Sequence, residues 1–227
     1  MSKPILDRAL ALCRENPWLQ QFGQTGDVST FGGATGCTHT ILQLLMMLWY
    51  GHRMTHDEIS NLAGYPWPAQ NPTRRGLRNT EAETFCEFVE LPYQWEYALT
   101  PSQILQATLK APVLVGVKYK DWPAARSQGT PPRNGWRNGN ASRYGAAQPF
   151  GFDGGHAVAA LGYQTVDGTA LVYAKEPNHG SPARPKRPDY DTMTTGQFYR
   201  AAASWKSLYP GGMTYALIPT RKLEATA

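Results

Sequence analysis

The pattern of apolar residues changes near residue 111, and this change limits the chain to folds that combine helices with a sheet. Before that point apolar residues recur at helical spacing, in segment 5–16, or fill nearly every position, in segment 37–50. After it come short runs rich in β-branched and apolar residues, which are typical of strands. The predicted strands are 112–119, 156–163, 171–175 and 213–218. Because no repeat or linker separates the two parts, we predict one α+β domain over residues 1–227, with a helical lobe over about 1–111 and a sheet lobe over about 112–220.

Short local signals indicate where several elements begin and turn. Three pairs have the spacing of a capping box, in which a threonine and a residue three places later satisfy each other's backbone N–H groups. The pairs are Thr55 with Glu58, Thr80 with Glu83, and Thr100 with Gln103. Between two predicted strands, Asp167 and Gly168 form the dipeptide that favours a tight hairpin turn. We therefore expect the start of strand 156–163 to lie beside the end of strand 171–175.

Composition and charge exclude several classes of protein. The chain is 41% hydrophobic and 17% charged, as globular proteins are, and no apolar run approaches the roughly 18 residues that a membrane helix needs. The N-terminal segment has no secretory signal, so we expect a soluble protein without a signal peptide. The net charge is +5, but the basic residues cluster only in short loop stretches, so we expect no nucleic-acid partner and no membrane partner. The oligomeric state is not predicted by any of these features.

The three cysteines are Cys13, Cys37 and Cys86, and they are too scattered for a disulfide framework. None of them pairs with another Cys or His in the CxxC type of metal-ligand spacing, so we expect reduced thiols, no metal and no cofactor.

Cys37 is the candidate nucleophile. It follows the glycine-rich sequence GGATG and begins the long apolar segment 37–50. The positive end of a helix dipole and the free N–H groups of the first turn favour a thiolate there. The alternative is that Cys37 is only a small buried residue at the start of a helix.

His156 is the candidate base. It opens an apolar strand after two glycines, and the predicted hairpin brings Glu176 and Asn178 near it from the end of the neighbouring strand. Either side chain could orient the imidazole as the third member of a triad. The alternative is a surface histidine at the start of a core strand.

The other histidines fit catalysis less well. His39 lies two residues after Cys37 on the same helix, and such neighbours face different directions. A metal site built from His156, His179 and Glu176 lacks the helical ligand spacing of common zinc motifs. The longest irregular segment, 121–151, leads directly to His156, so we expect it to face substrate.

Three segments together resemble the C39-like branch of the papain-like cysteine peptidases. They are the Cys-led helix GCTHTILQLLMMLWYG, the strand GGHAVAALGY and the turn EPNHG, which occur in the family's order. The sequences NPTRRGLRNTE and APVLVGVKYKDWP between the first two are similar to those of phage-encoded members, and the resemblance covers residues 20–218. It implies a papain-like fold and a cysteine peptidase that hydrolyses a peptide bond through a thioester intermediate. It also implies a peptide or protein substrate, such as a peptidoglycan peptide, and a location in the host cytoplasm or the phage virion.

The chain departs from the family's pattern at three places. Thr38 and His39 replace the usual Gly-Pro after the nucleophile, and Glu176 stands where Asp is common. The family's oxyanion glutamine is expected shortly before the nucleophile, but positions 25–36 contain none, and Gln24 is the nearest candidate. A catalytically weak or inactive structural protein of a virion is therefore the alternative function. Transglutaminase-like acyl transfer on the same scaffold is a further one.

Overall fold

The computed structural model describes residues 3–16, 18–19, 36–65, 76–118, 121–122, 155–177, 190–204 and 214–224. These parts form an α+β fold in which helices pack on a six-stranded sheet. The helices are α1 (Lys3–Glu15), α2 (Cys37–Tyr50), α3 (His56–Leu62), α4 (Asn79–Phe88), α5 (Pro101–Ala107) and α6 (Thr195–Ser204). The strands are β1 (Tyr93–Tyr97), β2 (Val113–Lys118), β3 (Gly155–Val166), β4 (Thr169–Lys175), β5 (Asp191–Thr194) and β6 (Tyr215–Pro219).

The sheet has the strand order β1-β6-β2-β3-β4-β5, and every neighbouring pair is antiparallel. Strands β3 and β4 form the predicted hairpin. Its turn residues, Asp167 and Gly168, have φ angles of 48° and 75°, the left-handed values that a type I′ turn requires. The predicted Asp-Gly hairpin is therefore confirmed, and at its base Lys175 of β4 pairs with Ala159 of β3.

Both faces of the sheet are covered by apolar side chains. On β3, Ala157 and Ala159 belong to one buried cluster, while Val158 and Ala160 belong to another. Since alternate residues of a strand point to opposite faces, the two clusters lie on opposite sides of the sheet. Helices α1 to α4 contribute to the first cluster, and α5 and α6 to the second.

Three elements differ from the sequence-based prediction. Strand β1 lies before residue 111, yet it pairs with β6 near the C-terminus, so the sheet draws on both predicted lobes. Strand β5 covers four residues, and helix α6 follows it within the part that is predicted to form strands. Helix α6 carries the same capping signal as the predicted helices, because Thr194 and Gln197 satisfy each other's backbone N–H groups at 2.9 and 3.3 Å.

The predicted helix starts are confirmed in two cases and wrong in one. The capping boxes at Thr55 and Thr100 are present. The box at Thr80 is not, because helix α4 begins at Asn79 and the backbone N–H of Arg78 donates to Glu81 Oε2 at 2.7 Å. Thr80 instead lies in the first turn, where its carbonyl accepts the Thr84 hydroxyl.

Predicted and observed ends of the other elements differ by a few residues. Helix α1 begins two residues before segment 5–16, and β6 lies slightly after segment 213–218, whose first residue is outside the described parts. Strand β3 extends to Val166, beyond the predicted end at residue 163. In the described parts of the chain, no helix is long and apolar enough to cross a bilayer.

Candidate active site

Cys37 is the first residue of α2, a helix in which most side chains are buried. The residue before it, Gly36, has no side chain that could cap the helix. The backbone N–H groups of the first turn are therefore left for other acceptors, and Cys37, which is partly exposed, lies beside them. This placement agrees with the thiolate-favouring position predicted from the sequence.

His156 and Glu176 meet at the base of the β3–β4 hairpin. His156 is the second residue of β3 and pairs with Val117 of β2, while Glu176 directly follows β4. The His156 Nε2 atom lies 2.7 Å from Glu176 Oε1, and both side chains are buried. The structure thus joins the predicted base to one of its two predicted partners.

The thiol of Cys37 completes this chain of contacts. Its sulfur is hydrogen-bonded to the His156 ring and also accepts from the backbone N–H groups of Ala157 and Thr38. Because Nε2 of the ring faces Glu176, the remaining nitrogen, Nδ1, is the one available to the thiol. Glu176, His156 and Cys37 therefore form a continuous chain of hydrogen bonds that joins the sheet to the start of α2.

The contacts of Cys37 and His156 determine the direction in which the pKa of each group is shifted. Burial opposes charge on the thiol, but the hydrogen bond and positive charge of His156, with the N–H groups of Ala157 and Thr38, lower the pKa of Cys37. Burial would by itself lower the pKa of His156, yet its bonds to Cys37 and Glu176 raise that pKa to about 9. The two shifts together favour transfer of the thiol proton to the imidazole, which gives a thiolate paired with an imidazolium.

The two remaining cysteines differ from Cys37 in their surroundings. Cys13 and Cys86 are buried in the apolar cluster of α1 to α4. Burial, with the nearby Glu83 and Glu87 carboxylates, raises the pKa of Cys86 to about 12. The Cys86 thiol is thus shifted in the opposite direction from that of Cys37 and stays protonated at neutral pH.

Several predicted residues lie outside the described residues. These are Gln24, Asn178, His179 and nearly all of the segment 121–151, of which only 121–122 are described. The alternative metal site depended on His179. Among the residues that the structure does describe, no group of three or more His, Cys, Asp or Glu side chains is placed to hold a metal ion.

His39 is fully buried between α2 and α3, with its Nε2 atom 2.7 Å from the Ser60 hydroxyl. Burial, together with the charge of nearby His56, keeps the pKa of His39 well below its ordinary value. Its Nε2 atom is thus engaged in a structural contact.

Sequence reasoning does not find the backbone donors at the sulfur or the polar residues behind it. The N–H groups of Thr38 and Ala157 contact the thiol because the fold places their backbone beside it, and every residue type except proline has such an N–H group. The hydroxyl of Thr40 bonds the Gly36 carbonyl, and a threonine three residues into a helix gives no signal of that role. Spacing from Cys37 points to Thr38 and Thr40, whereas nothing in the sequence points to Ala157.

The lowered pKa of Cys37 predicts that iodoacetamide alkylates this thiol at lower pH than it alkylates an ordinary thiol. The rate at Cys37 should rise with a midpoint below about 8.5, the ordinary value for a free thiol, because only the thiolate reacts. The rate is measured by intact mass over a range of pH, with Cys37→Ala supplying the background from Cys13 and Cys86. A single midpoint at the ordinary value would contradict the thiolate–imidazolium pair.

No protein-family profile matches this chain, and no curated protein is significantly similar to it in sequence.

Proposed function

We propose that this protein is a cysteine peptidase with a papain-like fold, in which Cys37 attacks a peptide bond and the product is released through a thioester. The observation that carries the proposal is the chain of hydrogen bonds from Glu176 through His156 to Cys37. A nucleophile bonded to a base, and a base bonded to an orienting carboxylate, is the arrangement that acyl-transfer enzymes share on unrelated folds.

The architecture supports the same proposal. The thiol stands at the N-terminus of a buried helix, and that helix packs against the sheet that carries the histidine. The family resemblance of the Cys-led helix, the His-led strand and the EPNHG turn adds the expectation of a papain-like fold. The six-stranded antiparallel sheet is compatible with that expectation.

Cys37, His156 and Glu176 then each have a definite role in the reaction. The Cys37 sulfur bonds to the carbonyl carbon and the carbonyl π electrons move to its oxygen, which forms a tetrahedral oxyanion. The oxyanion collapses, the C–N bond breaks, and His156 gives its proton to the leaving amine. His156, now neutral, takes a proton from water, whose oxygen attacks the thioester and releases a carboxylic acid and the thiolate. Glu176 holds the ring and stabilises its positive charge throughout.

Two donors are suited to the oxyanion. The backbone N–H of Cys37 lies at the start of α2, where intrahelical acceptors are absent. Gln24 is the side-chain candidate, and its position in the sequence is its only support. The peptide substrate that we propose is either a peptidoglycan crosslink or a virion protein, as the likeness to phage-encoded members suggests.

One observation favours a second function, that of a virion structural protein without turnover. No glutamine occurs at positions 25–36, where the family's oxyanion donor is expected. Such a protein would keep the fold of a peptidase, but its tetrahedral oxyanion would lack a donor and Cys37 would be acylated too slowly for turnover.

Acylation by p-nitrophenyl acetate separates these functions. We expect a burst of p-nitrophenolate at about pH 7, an acetyl group on Cys37 by peptide mass mapping, and then slow turnover as water attacks the thioester. Mixed peptides incubated in water labelled with heavy oxygen should gain one labelled oxygen at each new carboxylate. Acylation of Cys37 no faster than that of glutathione would overturn the proposal, and transfer of the acyl group to an added amine in preference to water would replace hydrolysis with acyl transfer.

A further inference from the structure

Directly behind Cys37, the contact between α2 and α3 is polar although it is fully buried. Its side chains all have 0% exposure: His39, Thr40, Gln43, His56 and Ser60. The contacts are short, since His39 Nε2 lies 2.7 Å from Ser60 Oγ and Gln43 Nε2 donates to the Met54 carbonyl at 2.7 Å. Buried polar groups are costly unless they are bonded, and a bonded set fixes how two helices align. Helix α3 is thereby fixed against the first turns of α2.

Thr40 connects this interface to the nucleophile. Its hydroxyl and its backbone N–H both donate to the carbonyl oxygen of Gly36, at 3.0 and 2.9 Å. The hydroxyl also lies 3.2 Å from His56 Nε2. Since a hydroxyl has one proton, and here it goes to Gly36, the Nε2 atom of His56 must be the donor to Thr40. His56 therefore donates to Thr40, and Thr40 donates to the carbonyl of Gly36.

The Gly36 carbonyl belongs to the same peptide unit as the N–H of Cys37. A peptide unit is planar and trans, so its C=O and N–H point in opposite directions. Fixing the carbonyl from inside the helix thus fixes the N–H of Cys37 toward the open N-terminal end of α2. That N–H is the backbone donor available to an oxyanion formed on a carbonyl attacked by Cys37.

We infer that Thr40, held by His56, is a positioning residue that aims the Cys37 N–H at the oxyanion. The inference rests on the proposed function, and it deepens that function by explaining how a chain without a glutamine at positions 25–36 retains one well-oriented donor. Thr40 itself contacts no substrate. Its effect passes through the Gly36–Cys37 peptide.

Two reagents distinguish a misdirected Cys37 N–H from a general loss of reactivity of the Cys37 thiol. p-Nitrophenyl acetate acylates Cys37 through a tetrahedral oxyanion, whereas iodoacetamide alkylates it by direct displacement of iodide with no oxyanion. Thr40→Val keeps the branched shape and removes the hydroxyl. We expect acylation to fall about 10-fold, less than the roughly 100-fold cost of losing a donor because the Thr40 N–H still holds Gly36, while alkylation changes less than about 3-fold.

Two control variants and one further test variant complete the experiment. Thr40→Ser keeps the hydroxyl and should restore the ratio of acylation to alkylation. Thr108→Val removes another fully buried threonine hydroxyl, which donates to the Leu105 carbonyl at 2.6 Å on α5, and should leave the ratio unchanged. His56→Leu removes the donor to Thr40 and should lower the ratio in the same direction as Thr40→Val, so the inference remains testable if Thr40→Val does not fold.

The outcomes separate this inference from the proposed function. If wild-type Cys37 is acylated no faster than glutathione, the proposed function fails and the inference fails with it. If the wild type is acylated rapidly but Thr40→Val and His56→Leu keep its ratio while losing thermal stability, only the inference fails, and Thr40 is merely structural.

Discussion

Cys37→Ala is expected to lower peptide hydrolysis by at least about 10⁴-fold, because no other group of the described site can form the thioester. In an enzyme whose catalytic residues act as a unit, removing the nucleophile costs about as much as removing the whole set. The fold should persist, since Cys37 is partly exposed at the end of a helix that is anchored by its apolar side chains. Activity is measured on the mixed peptides, and folding by circular dichroism and thermal unfolding.

Cys86→Ala is the matched control for this substitution. It also removes a thiol, but that thiol is buried in the apolar cluster and has a pKa raised to about 12. We expect a lower unfolding temperature, because a small cavity forms, and unchanged activity per folded molecule. A Cys37→Ala variant that still cleaves peptides would remove Cys37 from the mechanism.

The parts of the fold that the sequence predicts are those whose signals are local. Helix α2 has its predicted bounds because a continuous apolar segment ends at Gly51, whose φ of 66° is the left-handed value that a helix stop requires. The β3–β4 hairpin is predictable because Asp167 and Gly168 determine its turn. That hairpin brings His156 near the end of β4, but the sequence leaves Glu176 and Asn178 as alternative partners. The structure shows His156 in contact with Glu176.

Elements that depend on distant partners are harder to predict. Strand β1 is a five-residue strand at the edge of the sheet, and it exists by pairing with β6, where Trp95 opposes Leu217. Its alternation of aromatic and polar residues is a strand signal, but a short one among helices. Tertiary contact decides such segments, and a single sequence does not show which distant strand supplies that contact.

The contact between the thiol and the imidazole also depends on distant packing. Cys37 and His156 lie on opposite sides of residue 111, and no periodicity in the chain brings them together. Packing of α2 on β3 does so, through apolar side chains such as Ala157 and Leu161 on the face that the helix covers. Family resemblance predicts the pairing, whereas the residues by themselves leave each of the two with a structural alternative.

Glu176→Gln is expected to lower hydrolysis by about 10³- to 10⁴-fold, as loss of the orienting carboxylate does in triads on other folds. The amide keeps an oxygen that can accept from His156 Nε2, so the change mainly removes negative charge. That charge helps to raise the pKa of His156 to about 9, so the variant's imidazolium should lose its proton at lower pH. When the ring of His156 loses its proton more easily, its positive charge stabilises the Cys37 thiolate less, so the pKa of Cys37 should rise.

The pH dependence of activity then identifies the role of the carboxylate. Wild-type activity should rise as Cys37 ionises and fall as His156 loses its proton near pH 9, and in Glu176→Gln the two limbs should move toward each other. Glu176→Asp keeps the charge on a shorter side chain and should retain more activity than the amide. Glu81→Gln makes the same chemical change at the start of α4, where the carboxylate caps a helix, and should leave the profile unchanged. If Glu176→Gln lost activity while both limbs kept their wild-type positions, Glu176 would act by holding the ring in place, and its charge would have no part in forming the thiolate–imidazolium pair.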